Sequence, residues 1–263
     1  MIKLIATDLD GTLLHSDKTL PRGFLQTAAR LTERGVIFVA ASGRQYDNIY
    51  DTLKPVSDGM YIISENGAIN GFGKVISEQL RMTKDAVRAV LDFVRRSPVP
   101  AKAVCCCAHI GLFSDDEPRF VAETGKYYLF KRRVTDEELY SSPACKIALY
   151  CYGRSDELFP LIPEIPGSVA VISGKDWVDV APVGVNKGSA LSRILEKTAV
   201  SPSECLAFGD NFNDGEMLRL CGTAFVTENA PEKMKEMFPV APSCDDDGVL
   251  VKIRELFALT DSR

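Results

Sequence analysis

Short runs of consecutive apolar residues alternate along this chain with stretches whose apolar positions recur every three or four residues. The first pattern reads as buried strands and the second as amphipathic helices. Ile2, Leu4, Ile5 and Ala6 lead into an acidic stretch, and residues 36–40 and 60–63 form runs of the same kind. Runs with no polar face suit parallel strands covered on both sides. Between them, residues 21–34 place Phe24, Ala28 and Leu31 on one helical face and stop at Gly35, and another helix begins near Tyr46. After a turn at 64–68, residues 69–76 read as a hairpin. From about Arg81 the texture changes. A helix over 83–94 leads through Pro98 and Pro100 to a strand-like run over 103–113; helices over 118–130 and 156–162 then alternate with strands over 146–152, 169–172 and 177–181. The earlier pattern resumes with a helix opened by Lys187, whose apolar face includes Leu191, Ile194 and Leu195. A strand over 205–208 and a helix containing Met217 and Leu218 follow. The pattern predicts an α/β protein on a parallel sheet, interrupted by roughly 100 residues that can form a domain of their own.

Composition sharpens this picture in three places. With 263 residues and 46% hydrophobic content, the chain can bury a core domain plus an insert. A net charge of -5, with no basic cluster beyond Lys131, Arg132 and Arg133, argues against nucleic acid or an anionic membrane as the partner. No apolar stretch approaches the ~20 residues of a membrane span, and the amino terminus reads as a strand rather than a leader, so a cytoplasmic protein is expected. The eight cysteines include three in a row, Cys105, Cys106 and Cys107, and no CxxC pair. Free buried thiols are expected, not disulfides or a zinc site.

The candidate chemistry lies at strand ends. Asp8 and Asp10 close the first strand, two residues apart and so on one face, and Gly11 lets the chain turn away. In open α/β sheets, ligands bind beyond the carboxyl ends of the strands. The second strand ends in Ala41, Ser42, Gly43 and Arg44, a hydroxyl and free amides ahead of a helix, which suits an anion or simply caps the helix. Lys187 at a helix start opposes the macrodipole, so an anion is expected nearby unless the side chain is merely solvated. The strand over 205–208 ends in Gly209, Asp210, Asn211, Phe212, Asn213 and Asp214, a second acidic pair of the hard-oxygen type that Mg²⁺ takes.

Taken in order, the stretch from Asp8 to Leu14 (DLDGTLL), the ASGR of 41–44, Lys187 in VNKGSAL and GDNFND at 209–214 resemble the four motifs of the haloacid dehalogenase (HAD) superfamily. The NGA of 66–68 is similar to the Cof-type (class IIB) phosphatases. The resemblance implies a Rossmann-like, HAD-like core over 1–81 and 185–263, with an inserted α/β cap of the C2B type over 82–184, hinged near Arg81 and Gly184. It implies Mg²⁺ held by Asp8, Asp210 and the backbone carbonyl of Asp10. Asp8 would be the nucleophile and Asp10 the proton carrier, with Thr12 fixing Asp10. Ser42, Gly43, Lys187 and Asn213 would bind phosphate; Arg44, Asn66 and Asp214 would support. Neither His15 nor His109 is needed. Two departures are mild: 227–230 read TENA where the family often has MGNA, and the DDDG of 245–248 resembles a family loop but equally a solvated one.

The activity so implied is Mg²⁺-dependent hydrolysis of small phosphorylated metabolites, sugar phosphates above all, through an aspartyl phosphate, with the cap choosing the substrate. The alternatives are a sugar phosphomutase and a non-catalytic phospho-aspartate signalling module, which needs no general acid and no lid. Replacing Lys187 is expected to remove activity and leave the fold nearly intact.

Overall fold

A computed structural model describes residues 1–259; the last four residues of the second predicted core segment, 260–263, lie outside the described residues. The strands in chain order are β1 (Leu4–Thr7), β2 (Ile37–Ala41), β3 (Tyr61–Ser64), β4 (Ile69–Phe72), β5 (Val75–Gln79), β6 (Lys102–Cys106), β7 (Gly111–Phe113), β8 (Lys131–Arg133), β9 (Lys146–Tyr150), β10 (Ser168–Ile172), β11 (Trp177–Pro182), β12 (Cys205–Gly209), β13 (Thr223–Thr227) and β14 (Val240–Ala241). They form two sheets, ordered β14-β13-β12-β1-β2-β3-β4-β5 and β10-β11-β9-β6-β7-β8.

The first sheet is parallel from β14 to β3 and ends in the antiparallel hairpin β4 and β5. Its central strands are apolar throughout because both faces are covered. Leu4 and Ala6 of β1 pack with Val39, Cys205 and Ala207 under the helices Lys187–Thr198 and Gly215–Leu220. Ile5 packs on the opposite face with Phe38, Leu206 and Phe208, against the helix Phe24–Glu33 and the helix Gly248–Leu256. From β1 the chain builds outward through β2 and β3 on one side, then through β12, β13 and β14 on the other. The order therefore reverses beside β1, a topological switch point of the kind that opens a crevice at the strand ends.

The second sheet is antiparallel except for the β7–β8 pair. One face packs Cys105, Ile147, Leu149, Val178 and Val180 against the helix Lys84–Arg96. The other carries Val104, Cys106, Ala148, Tyr150 and Trp177 beside Phe120 and Tyr128. The chain passes between the sheets twice, at 80–83 and 183–186, outside any strand or helix.

Several predicted elements change on inspection. The run over 103–113 is a hairpin of β6 and β7, turning where the Cys107 and Ile110 backbones bond each other. The stretch 156–162 is one helical turn, Ser155–Leu158, then a 3-10 turn Phe159–Leu161 containing Pro160, which cannot continue a helix. β8 carries no apolar signal, its three basic residues all exposed, and the short helix Asp136–Tyr140 has too few residues for a period and is set by a capping box from Thr135. As a short edge strand bearing three cations, β8 is protected against pairing with other chains.

Candidate active site

Asp8, Ser42 and Asp210 each stand one residue beyond the carboxyl end of β1, β2 and β12, so the switch point gathers the three loops. Gly11 sits at φ 81, and a Cβ there would lie 2.6 Å from Asp210 Oδ2. Only glycine lets the turn after Asp8 close this tightly on the second acidic loop.

Lys187 is fully buried at the start of its helix, which Asn186 caps by accepting from the Ser189 amide at 2.7 Å. Its Nζ donates to Asp8 Oδ1 at 2.5 Å and to Asp214 Oδ1 at 2.6 Å. These anions compensate the cation at the helix's positive pole. The other Asp214 oxygen accepts from the amides of Asp210 and Asn211, both at 3.0 Å, so this carboxylate holds the acidic loop in shape. Thr12 Oγ1 donates to Asp210 Oδ1 at 3.0 Å. Thr12 therefore braces Asp210 and not, as its position in the motif implied, Asp10.

Asp10 turns instead to Arg44, whose Nε and Nη2 each donate to one carboxylate oxygen at 2.6 Å, and Lys18 Nζ adds a third bond at 2.9 Å. Ser42 Oγ accepts from the Arg44 amide at 3.2 Å. Asn213 Nδ2 donates to Asn66 Oδ1 at 3.2 Å, and the Asn66 amide packs 3.3 Å from where a Gly43 Cβ would stand. Asp8, Asp10, Ser42, Gly43, Arg44, Asp210 and Asn213 all line one cavity of about 530 Å³ between the two sheets; Lys187, Thr12 and Asp214 are absent from its wall. Both histidines stay outside that wall, His15 bonded to Asp247 and Thr19, His109 to Asp47.

The electrostatics favour a cation. Asp8, Asp210 and Asp214 each bring one oxygen within 4.8 Å of the others. Burial first, then Asp214 and Asp210, push the Asp8 carboxyl well above its ordinary range despite Lys187. Burial and Asp214 push Asp210 up to about 6. Burial would lower the Lys187 ammonium, yet Asp214 and Asp8 hold it above its ordinary value, so we treat Lys187 as charged. One ammonium among three carboxylates leaves negative charge unbalanced, and hard oxygens so placed fit a divalent ion such as Mg²⁺. Burial would raise Asp10 too, but Arg44 and Lys18 outweigh it and hold that carboxyl low.

The far wall belongs to the second sheet: Val169, Val171, Ile172 and Trp177, with Tyr127, and two polar residues absent from the predicted set, Lys146 and Asp179. Their signal was slight, a single lysine inside the apolar stretch from Cys145 to Tyr150 and a single acid in the stretch from Trp177 to Ala181. Nothing in the sequence pairs Lys146 with Glu65 and Asp179, which the structure does.

A family model described as haloacid dehalogenase-like hydrolase matches residues 5–253. The HMP-PP phosphatase of Escherichia fergusonii is 30% identical over 253 residues, 92% of this chain and 90% of that protein. The chain belongs to the haloacid dehalogenase-like hydrolases. It is a hydrolase of that superfamily. Its fold is shared with SMU.1108c of Streptococcus mutans UA159 (TM-score 0.91, 24% identity, 98% of this chain and 100% of that one). It is shared as well with the HAD subclass IIB sugar phosphatase BT4131 (TM-score 0.84, 19% identity, 98% and 100%). Among the described residues no helix is long and apolar enough to cross a membrane.

Proposed function

We propose that this HAD-like hydrolase is a Mg²⁺-dependent phosphatase, a phosphoric monoester hydrolase that cleaves small phosphorylated metabolites, sugar phosphates foremost, by phosphoryl transfer to Asp8. The observation that carries this reading is the Asp8 carboxylate in the wall of a cavity of about 530 Å³, 2.5 Å from a buried ammonium and grouped with two further carboxylates. Asp8, Asp210 and the Asp10 carbonyl would hold Mg²⁺, which relieves the repulsion between an anionic nucleophile and an anionic phosphate. Phosphoryl transfer needs positioning and charge stabilisation above all. Lys187 holds Asp8 in place and offsets part of the burial that opposes its ionisation. The Ser42 hydroxyl, the Gly43 amide and Asn213 take the non-bridging oxygens, while Lys187 supplies its charge through Asp8. Asp8 attacks in line, and the leaving oxygen takes a proton from Asp10. Held by Arg44 and Lys18, Asp10 rests ionised; it must release these bonds and take up a proton from solvent before it can give one to the leaving oxygen, and, ionised again afterwards, it takes a proton from the water that hydrolyses the aspartyl phosphate.

Residues 82–184 act as the cap and residues 1–81 and 185–263 as the catalytic core, a division supported by the apolar clusters of the two sheets, which are separate but for Cys145 of the cap segment in a core cluster. The cytoplasm is the proposed location, in keeping with eight buried thiols that are all free. A second reading of the substrate rests on the far wall. Val169, Val171, Ile172 and Trp177 favour a leaving group with one apolar ring face over a fully hydroxylated one.

A panel of phosphate esters tests both readings, with Mg²⁺ and with EDTA. Hexose, pentose and ring-bearing small phosphates should turn over only with Mg²⁺, at higher kcat/KM than nucleotides and phosphopeptides, because a cavity this size leaves little room for large substrates. A phosphopeptide or nucleotide at the head of the panel would refute the reading, and so would full activity in EDTA. Formation of an isomeric sugar phosphate in place of inorganic phosphate would make the chain a mutase.

A further inference from the structure

The loop over 42–44 is gripped through three successive carbonyls. The Asn66 amide donates to Ser42 O at 3.1 Å and the Glu65 amide to Arg44 O at 3.2 Å. The middle carbonyl, Gly43 O, accepts from Lys146 Nζ at 3.3 Å, and Lys146 belongs to β9 of the second sheet. The lysine is itself fixed by Glu65 Oε2 at 2.8 Å and by Asp179 Oδ2 at 3.1 Å, and its side chain is only 3% exposed. Asp179 Oδ2 also accepts from Asn66 Nδ2 at 3.2 Å, and Asn66 carries the bond from Asn213. Glu65 and Asn66 hold positive φ values of 49 and 55, a strained pair that its surroundings must enforce. Burial would lower the Lys146 ammonium, but Asp179 and Glu65 keep it well above its ordinary value and so charged.

The peptide unit is planar, so fixing Gly43 O also fixes the Arg44 N–H on the other side of the bond. That N–H donates to Ser42 Oγ and leaves the hydroxyl proton free for another acceptor.

We propose that Lys146 is a positioning residue for the phosphate-accepting loop: through the Gly43 carbonyl it sets the Arg44 amide and the Ser42 hydroxyl, so the loop is complete only when the cap sheet is docked. This rests on the reading that Ser42 and Gly43 receive phosphate. Lys146 therefore acts on the transferred group, the part common to every substrate, and not on the leaving group.

The test compares wild type with Lys146→Met and with Lys146→Met/Glu65→Gln, which removes the more buried of the two carboxylates that the single change strands; the other, Asp179, keeps its bond from Asn66. The readouts are Tm, kcat and KM for p-nitrophenyl phosphate and two sugar phosphates, and inorganic phosphate binding by calorimetry with Mg²⁺ present. The double variant should regain most of the Tm lost in the single one. Its kcat should stay about tenfold or more below wild type by the same factor for every substrate, with phosphate bound about tenfold more weakly, as expected of a displaced reacting group. Recovery of kcat and phosphate affinity along with Tm would reduce Lys146 to a structural role and overturn the proposal. A loss confined to the KM of one substrate would mean leaving-group contact and overturn it too. Wild-type protein inactive on every ester would retire the phosphatase reading instead, and phosphate binding alone would then decide the role of Lys146.

Discussion

Lys187 shows how far single residues could be read in advance. Its place at a helix start announced an anion, and the structure supplies two; a side chain with no exposed surface argues that the fold will not come through its loss unharmed. Lys187→Met strands Asp8 and Asp214 without a counter-charge, and breaking a buried pair costs about 3–5 kcal/mol. We therefore expect a clearly lowered Tm in EDTA besides a kcat loss of ~10² to 10³. A Tm equal to wild type would show that the carboxylates do not depend on Lys187. The acids themselves give a signed prediction. Asp210 titrates at about 6 in the fold, above its unfolded value, and Asp8 shifts the same way. The folded state then binds more protons than the unfolded one, so in EDTA the contribution of these groups is fully present below about pH 4 and is lost as pH rises through about 6. Mg²⁺ should restore it, so the gain in Tm on adding Mg²⁺ should be larger at pH 7.5 than at pH 5. A gain as large or larger at pH 5 would remove these carboxylates from the metal site.

At the scale of elements, strands and helices with a strong period were legible because burial on one or both faces writes directly into the pattern. Where local chemistry wins the pattern fails: the turn within 103–113, Pro160, and β8, whose exposed KRR has no apolar residue to read. Equally hidden was the service that 65–67 performs. Gly67 stands at φ 104, and a Cβ there would lie 2.4 Å from the carbonyl oxygen of Asn186, the cap of the Lys187 helix. That neighbour is backbone and cannot step aside, so Gly67→Ala should cost about 1–3 kcal/mol and lower kcat by moving Lys187. Gly35 is the control, with φ 84 and nothing within 4 Å of its would-be Cβ. Gly35→Ala should lose less stability and keep full activity. Equal losses from the two alanines in a thermal melt would show that strain alone, not the contact with Asn186, is at work.

The whole molecule brings together residues that the sequence keeps apart. Four motifs in order were enough to predict the crevice, because three follow strands of the first sheet, whose ends the switch point collects, and the fourth brings Lys187 in at a helix start. The cavity's far wall was not legible, since β10 and β11 show their faces only once the second sheet is folded and docked. The same burial covers all eight thiols, so Ellman's reagent should find less than about one reactive thiol per native chain and the full set after unfolding. Rapid modification of several thiols in the native protein would contradict the packing of both sheets. The central claim is that two aspartates two residues apart do different work, Asp8 as nucleophile and Asp10 as proton carrier. Rapid mixing of Asp10→Asn with p-nitrophenyl phosphate and Mg²⁺ tests it most directly, because this leaving group departs without a proton while hydrolysis of the aspartyl phosphate still needs a base. The account predicts a burst of about one nitrophenolate per site followed by a slow phase, and no release from Asp8→Asn. Absence of a burst in a variant that binds Mg²⁺ normally, or continued turnover by Asp8→Asn, would contradict it.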